Sequence, residues 1–149
     1  MIKMYCIFAK ESLDKINGVR GKMATQAGHA YLHSYWDAEQ GYKGPYWDQF
    51  APHTDETREM SRQYENAGKK RQQAINYKAS DKAYKITLVV DTVEELKQLQ
   101  QRYENVCGTA LITDAGYTVF KEPTTTCLGL GPISEEDIGE DIKSIKTLT

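Results

Sequence analysis

Two short apolar segments constrain the fold of this chain more than any other feature. Lys3–Ala9 alternates poorly between polar and apolar residues and is mostly apolar, which is typical of a strand buried on both faces. Tyr84–Val90 combines an aromatic residue and β-branched residues with an apolar run, and it predicts a second strand. Because such strands need covering layers, we expect an α/β fold.

Four further elements follow the second strand. Thr92 and Glu95 form a capping-box pattern at the start of an amphipathic helix. The predicted elements are, in chain order, this helix, which ends at Gly108, a strand over Ala110–Thr113, a strand over Thr125–Leu130 that ends at Pro132, and a short helix capped by Ser134. The sequence therefore predicts a three-layer sandwich, in which a small mixed four-stranded sheet carries helices on both faces.

Residues 37–82 interrupt this pattern. Glycines and prolines punctuate a loop rich in tyrosine and tryptophan, and a highly charged helix over Asp55–Lys78 follows it. We interpret residues 37–82 as an insertion into a single domain that spans residues 1–149.

The cysteines and the hydropathy of the chain indicate the cellular compartment of the protein. The three cysteines, Cys6, Cys107 and Cys127, lie far apart and lack the paired spacing of disulfides or zinc ligands. No apolar run approaches the roughly 20 residues of a membrane span, and the N-terminal segment is too mixed for a signal peptide. The sequence predicts a soluble, reduced, cytoplasmic protein that does not enter a membrane.

The charge is unevenly distributed along the chain. The formal net charge of −2 at pH 7 argues mildly against a general nucleic-acid binder. However, residues 1–85 carry 14 Lys and Arg against 10 Asp and Glu, whereas residues 86–149 carry 5 against 11. The densest basic run is Lys69, Lys70 and Arg71. Such a run is either a solvated helix face or a set of phosphate contacts.

A polar line marks the helix predicted over Gly21–Trp36, which follows a polar loop through Asn17 and Gly18. At about 100° per residue the four polar side chains fall within roughly a 60° arc, and a separate arc can pack on a core. The positive residue at the helix start opposes the helix dipole, and such violations are expected at functional sites. The polar line consists of Lys22, Gln26, His29 and His33, and the packing arc consists of Met23, Ala24, Ala27, Ala30, Tyr31 and Tyr35.

The carboxyl edge of the predicted sheet gathers further polar residues. Sites in open α/β sheets form outside the carboxyl ends of strands, and that edge brings Lys22 towards Asp114 at the end of the third strand. Gly116 can adopt a turn conformation forbidden to other residues. Thr118, four residues beyond Asp114, and Thr126, on the returning strand, are positioned to direct hydroxyls into the same crevice.

Together these motifs resemble the peptidyl-tRNA hydrolase 2 family, the archaeal and eukaryotic type of peptidyl-tRNA hydrolase. The resemblance covers about residues 1–36 and 84–149 and leaves the middle unmatched. It is carried by Gly21, Lys22, Gln26, His29 and Ala30 on the helix, and by Asp114, Ala115, Gly116, Thr118, Thr126, Gly131 and Pro132 around the turn and the returning strand.

The chain also departs from the family pattern. Tyr117 replaces an arginine often found in the turn motif, Val119 replaces a usual glutamine, and Glu122-Pro123 replaces a usual proline-glycine. Lys10 stands near where the first strand commonly ends in arginine. Two fewer arginines alter the expected contact with tRNA, and the basic run at residues 69–71 is a candidate to supply phosphate contacts instead.

The resemblance implies an enzyme that hydrolyses the ester between the C-terminal carbonyl of a peptide and the 3′ ribose of tRNA, with water as the nucleophile. Such a reaction needs a group that orients or deprotonates water and a positive group near the developing oxyanion or an adjacent phosphate. Asp114 is the candidate for the first role and Lys22 for the second, with Thr118 and Thr126 positioning water or substrate.

The expected partner is peptidyl-tRNA, and a homodimer is left open. No cofactor is expected, and no metal, since no ligand cluster has usable spacing. The residues expected to bind substrate are Gln26, His29, Gly116, Lys69, Lys70 and Arg71.

Two other hypotheses compete with this one. A non-catalytic RNA- or protein-binding module could keep the fold, with the altered turn marking an absent activity, but it would have no reason to keep Lys22, Asp114, Thr118 and Thr126 together. An unrelated thiol hydrolase using Cys127 and His29 would be sensitive to alkylation.

Overall fold

The computed structural model describes residues 1–16, 19–45, 50–116 and 120–149. In these ranges, three helices lie between the first two strands, and one helix lies between the second and third strands. The elements are β1 (Ile2–Ala9), α1 (Lys10–Ile16), α2 (Arg20–Glu39), α3 (Asp55–Ser80), β2 (Lys85–Val90), α4 (Val93–Tyr103), β3 (Thr109–Asp114), β4 (Thr124–Ser134), a 3-10 turn (Glu135–Asp137), α5 (Glu140–Lys143) and β5 (Lys146–Thr147).

The strands form one mixed sheet in the order β3-β4-β1-β2-β5. β1 pairs in parallel with β2, while β4 pairs antiparallel with both β1 and β3. β3 therefore runs in the same direction as β1 and β2, and the carboxyl ends of these three strands meet at one edge. The predicted α/β class is confirmed, but the predicted count of four strands is wrong. The additional strand, β5, has only two residues and is too short to leave a periodic signal.

One predicted strand end is also wrong. β4 does not end at Pro132 but continues to Ser134, which pairs with Ile2. The ladder between β4 and β1 is irregular between Lys3 and Tyr5, opposite Pro132, and such an irregularity accommodates a residue that has no N–H to donate. Ser134 is the N-cap residue of the 3-10 turn, as predicted, but its side chain makes no capping hydrogen bond.

Helix α1 was not predicted, since the residues after β1 were expected to form only a polar loop. Ser12 and Ile16 are its buried residues, and one pair spaced four apart gives no clear helical period. Its Glu11 carboxylate accepts a hydrogen bond of 2.7 Å from Val93 N–H at the start of α4. Asn17 and Gly18 lie outside the described residues.

The core lies on both faces of the sheet. Tyr5, Ile7 and Ala9 of β1 join a cluster with Leu96 and Leu99 of α4. The alternate residues of β1 join a second cluster against α2, which contains Cys6, Phe8, Ala30, Ile112 and Cys127. Helices therefore cover both faces, as predicted for a three-layer sandwich. The capping box at Thr92 and Glu95 is present, although α4 ends at Tyr103, before Gly108.

The buried face of α2 differs from the predicted packing arc. Its buried residues are Gln26, Ala30, Ser34 and Ala38, whereas Ala24 is exposed. The packed face is thus rotated by about 50° towards the polar line. Gly129 of β4 explains this orientation, because a Cβ atom there would lie 2.1 Å from the carbonyl oxygen of Ala30. The missing side chain lets the helix backbone approach the sheet and takes Gln26 into the interior.

Helix α3 confirms the predicted charged helix. A capping box formed by Thr54 and Thr57 begins it. The Tyr77 ring lies 6.4 Å from the Tyr35 ring of α2, and the Tyr77 hydroxyl donates a hydrogen bond to the backbone oxygen of Tyr84. α3 therefore packs on α2 and on the residue that precedes β2. Within the described ranges, no helix has the length and apolar character needed to cross a membrane.

Candidate active site

The carboxyl edge of β1 and β3 brings two charged side chains together. Lys22 lies in the first turn of α2, and Asp114 is the last residue of β3. The Lys22 ammonium forms an ion pair with Asp114 Oδ2. The lysine side chain is 17% exposed and the aspartate side chain 9% exposed, so water has limited access to both groups. Such an ion pair is screened far less than a surface pair.

Both oxygens of the Asp114 carboxylate have hydrogen-bond donors. Gly116 N–H donates to Oδ1 at 2.8 Å, and Gln26 Nε2 donates to Oδ2 at 3.3 Å. Lys22 holds the pKa of Asp114 below its ordinary value. Burial opposes this shift, while the Gly116 N–H and the more distant charge of His29 reinforce it. The carboxylate is therefore ionised and fixed in orientation.

Gln26 connects Asp114 to the interior. Its Oε1 accepts a hydrogen bond of 2.7 Å from the Thr126 hydroxyl, and both residues are buried. Because the amide oxygen is engaged by Thr126, the amide nitrogen points at Asp114. Thr126 was predicted to direct its hydroxyl into the crevice. It lies instead behind Gln26, and its geometry suits a residue that positions Asp114 through the glutamine.

The turn after Asp114 requires glycine. Gly116 has a φ of 86°, and a Cβ atom at this position would lie 2.5 Å from the backbone carbon of Glu122. Glycine alone adopts this conformation without strain and leaves that space free. Its N–H can therefore face the carboxylate. Thr118, together with Tyr117 and Val119, lies outside the described residues.

His29 and His33 are exposed on α2, along the line that begins at Lys22. Their ring centroids are 6.0 Å apart, and His33 in turn lies 5.2 Å from the ring of Trp36. His29 acts on Asp114 through its charge. The predicted polar line thus divides: Lys22 and Gln26 contact Asp114, whereas the two histidines lie on the surface.

The basic run lies at the other end of α2. Lys70 is only 17% exposed and forms an ion pair of 3.1 Å with Asp37, whose Oδ2 also accepts from Thr109 N–H at the start of β3. Lys69 and Arg71 are not buried in this way. Fifteen residues separate Lys22 from Asp37, which is about 22 Å of helix. The structure therefore keeps all three basic residues away from the Lys22–Asp114 pair.

Cys127 does not reach the surface. It is 0% exposed, and its thiol donates to the backbone oxygen of Gln26. The neighbouring Cys6 is also buried, and its contact with Cys127 and burial raise the pKa of its thiol. A nucleophile must reach its substrate as a thiolate, so this environment argues against the thiol-hydrolase hypothesis. The described part of the chain contains no group of three or more His, Cys, Asp or Glu side chains that could hold a metal ion.

One part of the site was not predicted from the sequence. The burial of Gln26 and its bond from Thr126 depend on the close approach of α2 to Gly129. The available signal was the glycine itself, since a glycine within a strand often marks a close backbone approach.

A largely buried pair of a lysine and a carboxylate at the carboxyl edge of an α/β sheet suits the hydrolysis of an ester, because the two groups can position water and stabilise negative charge. Comparison with known proteins identifies which hydrolase this is. The family model described as peptidyl-tRNA hydrolase PTH2 matches residues 2–148, and the chain belongs to this family. It is 28% identical over 131 residues to a peptidyl-tRNA hydrolase of Methanococcus vannielii, with 87% of each chain covered.

Membership of this family assigns the activity. The protein is an enzyme that hydrolyses the ester bond of peptidyl-tRNA and releases the peptide and free tRNA. The predicted activity is thereby confirmed, and the non-catalytic module is not supported. The bounds of the family match enclose residues 37–82 as well as the flanking segments.

Proposed function

We propose that Lys22 and Asp114 are the catalytic pair of this peptidyl-tRNA hydrolase. The observation that carries the proposal is the ion pair itself: it lies at the carboxyl edge of the sheet, it is largely buried, and Gly116 and Gln26 hold its carboxylate. A carboxylate fixed in this way can accept a hydrogen bond from water, and the ammonium can stabilise a developing oxyanion.

Substrate binding weakens the interaction between Lys22 and Asp114. While Lys22 faces Asp114, the lowered pKa makes the carboxylate a weak base. An ester oxygen that gains negative charge, or a neighbouring phosphate, competes for the same ammonium. As Lys22 turns towards that charge, the pKa of Asp114 rises and the carboxylate becomes a better base.

The chemical step then follows. The water oxygen forms a bond to the ester carbonyl carbon, and a water proton passes to Asp114. The bond between that carbon and the 3′ oxygen of the ribose breaks, and the proton on Asp114 passes to the ribose oxygen. The products are the peptide with a free carboxyl group and tRNA with a free 3′ hydroxyl, so one water molecule is consumed.

Further residues contribute without touching the reacting atoms. Thr126 orients Gln26, which in turn orients Asp114, and both are positioning residues. His29 lies close enough to the pair for its charged form to lower the pKa of Asp114. Thr118 differs from these residues. Because it lies four residues after Asp114, as in the family motif, we assign it the role of holding water or substrate.

Contact with the tRNA backbone is assigned to basic residues of α3. Lys69 and Arg71 are free to meet phosphates, whereas Lys70 is held by Asp37.

We retain the interpretation of residues 37–82 as an insertion within a single domain. We also propose that the enzyme acts in the cytoplasm, where translation produces its substrate.

Release of N-acetyl-amino acid from N-acetyl-aminoacyl-tRNA tests the catalytic pair. Asp114→Asn is nearly isosteric, so it should leave the fold intact and lower kcat/KM by about 10²- to 10⁴-fold, the range for loss of a general base. Lys22→Ala should cause a fall of about 10²- to 10³-fold. The control is the exposed pair Arg58 and Asp55, whose nitrogen and oxygen are 3.1 Å apart. Arg58→Ala and Asp55→Asn should retain full activity, and full activity in a folded Asp114→Asn enzyme would refute the assignment.

A further inference from the structure

A row of exposed rings extends from the active site along α2. His29, His33 and Trp36 fall within roughly 60° of one another on the helix, on the same line as Lys22. Neighbouring rings are in contact, with centroids 6.0 Å and 5.2 Å apart. Trp36 is 48% exposed. The row therefore does not belong to either core cluster, and its rings present faces and edges to solvent.

Exposed aromatic side chains are costly unless a partner covers them. An indole has a large apolar surface, and its burial contributes most where another ring can stack on it. α2 already packs on the sheet through Ala30, Ser34 and Ala38, on the opposite side of the helix. Trp36 and His33 lie outside that packed face, and a binding role accounts for their exposure.

Cationic side chains lie at both ends of the row. Lys22 stands at one end. At the other end Lys43 and Lys70 surround Asp37, at 3.8 Å and 3.1 Å, and Arg71 lies next to Gly41. Fourteen residues separate Lys22 from Trp36, which is about 21 Å along the helix. Rings flanked by cations over such a length match a single strand of nucleic acid, whose bases stack and whose phosphates need positive charge.

We propose that His33 and Trp36 form a stacking platform for the unpaired bases at the 3′ end of the tRNA. The proposal rests on the hydrolase function, because the ester fixes one end of the strand. With the terminal ribose at Lys22 and Asp114, the preceding nucleotides run along α2 over His29, His33 and Trp36. The paired stem then reaches Lys43, Lys69 and Arg71. This path explains why the basic residues lie about 20 Å from the catalytic pair.

Stacking also suits the task of the enzyme. Every base has a π-face, so an aromatic platform binds unpaired nucleotides without reading their sequence. An interface between two copies of a chain is more apolar than the rest of a protein surface. Here the row contains two imidazoles and an indole, and Leu32 is the exposed aliphatic residue beside it on α2.

Binding of a short single-stranded RNA that ends in CCA tests the platform. Fluorescence anisotropy with labelled RNA measures affinity without any turnover. Trp36→Ala should weaken binding roughly 5- to 150-fold, the range for loss of one base–aromatic stack. Trp36→Phe keeps a ring and should restore most of the affinity. Leu32→Ala is the matched control, since Leu32 is 45% exposed on the same helix and has no ring, and it should bind like the wild type.

A second probe isolates the bases from the phosphates. With an RNA of equal length whose 3′-terminal bases are replaced by abasic sites, wild type and Trp36→Ala should bind equally weakly. Equal affinity of the two proteins for the intact RNA would overturn the proposal. So would a wild-type dimer in sedimentation that Trp36→Ala converts to a monomer without change in RNA affinity, because the face would then be an interface between copies. Turnover of N-acetyl-aminoacyl-tRNA, measured separately, reports on the catalytic assignment alone.

Discussion

The Asp114 carboxylate faces donors at both of its oxygens: Gly116 N–H at Oδ1, and both Gln26 and Lys22 at Oδ2. These contacts favour the ionised form, so the free enzyme carries an oriented but weakly basic carboxylate. Catalysis then depends on the substrate drawing Lys22 away from Asp114. The lysine both restrains the base before binding and stabilises negative charge during the reaction.

Titration of the Asp114 side chain tests this coupling. In the wild type the carboxyl group should titrate below the ordinary aspartate pKa of about 3.9, because Lys22 stabilises the charged form. In Lys22→Met the pKa should rise, since burial is no longer opposed by the ammonium. NMR of the labelled carboxyl carbon measures both values. Lys10→Met is the control and should leave the titration of Asp114 unchanged; a Lys22→Met protein that does the same would show that the pair is not coupled.

Replacement of Thr126 by valine tests the positioning role. The variant leaves the buried Oε1 of Gln26 without its donor, which should cost about 1–3 kcal/mol of stability. The released glutamine should misplace Asp114 and lower kcat on the order of 10- to 100-fold with KM little changed.

Thr126→Ser keeps the hydroxyl and should restore kcat. Thr125→Val is a matched control on the adjacent residue, because the Thr125 hydroxyl pairs with Thr113 on the exposed side. If Thr126→Val lost stability without a fall in kcat, Thr126 would have a structural role and no positioning role.

At the scale of single residues, the sequence predicted the Lys22–Asp114 pair but not the residues that hold it in place. Lys22 and Asp114 could be brought together because one begins the helix predicted after β1 and the other ends a strand parallel to it. The Thr126–Gln26 contact could not be predicted, because it depends on a helix rotation of about 50° that helical periodicity does not specify.

At the scale of elements, the contact of α2 with β4 sets the geometry of the site. Gly129→Ala should disturb it, since the added Cβ would lie 2.1 Å from the Ala30 carbonyl oxygen. Overpacking of this kind costs about 1–3 kcal/mol, and the displaced helix should carry Lys22 and Gln26 out of register with Asp114. Urea unfolding and hydrolysis assays measure both effects.

Gly28→Ala provides the matched control on the same helix. A Cβ there meets nothing within 4 Å, so the variant should gain about 0.5–1 kcal/mol of helix stability and keep its activity. If Gly129→Ala were as active and stable as Gly28→Ala, close packing of α2 on β4 would not determine the site.

The basic face of α3 predicts a salt effect. Replacing Lys69 and Arg71 by alanine should make the log–log salt dependence of tRNA binding shallower by about 0.7 to 0.9 for each phosphate that is no longer neutralised. Lys70→Ala should instead lower stability, because it removes the half-buried ammonium that pairs with Asp37. Arg58→Ala is the control, as Arg58 pairs with Asp55 in the first turn of the same helix. An unchanged slope in the double variant would mean that this face of α3 is only solvated.

For the whole molecule, the sequence was sufficient to predict the fold class but not the short edge strand or the ends of the elements. The apolar strands and the capped helix predict an α/β sandwich because their patterns are long and regular. The sequence did not predict β5, because two residues are too few to show a period. The predicted fourth strand was too short, because a proline normally ends a strand unless its pairing with the partner strand is irregular. These errors fall where tertiary pairing, rather than local propensity, determines the structure.

The central claim is that Lys22 and Asp114 act as a unit, and a double-mutant cycle on kcat/KM for N-acetyl-aminoacyl-tRNA tests it most directly. Residues that act together are strongly non-additive. We predict that Lys22→Met combined with Asp114→Asn loses no more activity than the worse of the two single variants. Effects that multiply, so that the double variant falls by the product of the single effects, would contradict the account, because the two residues would then contribute independently.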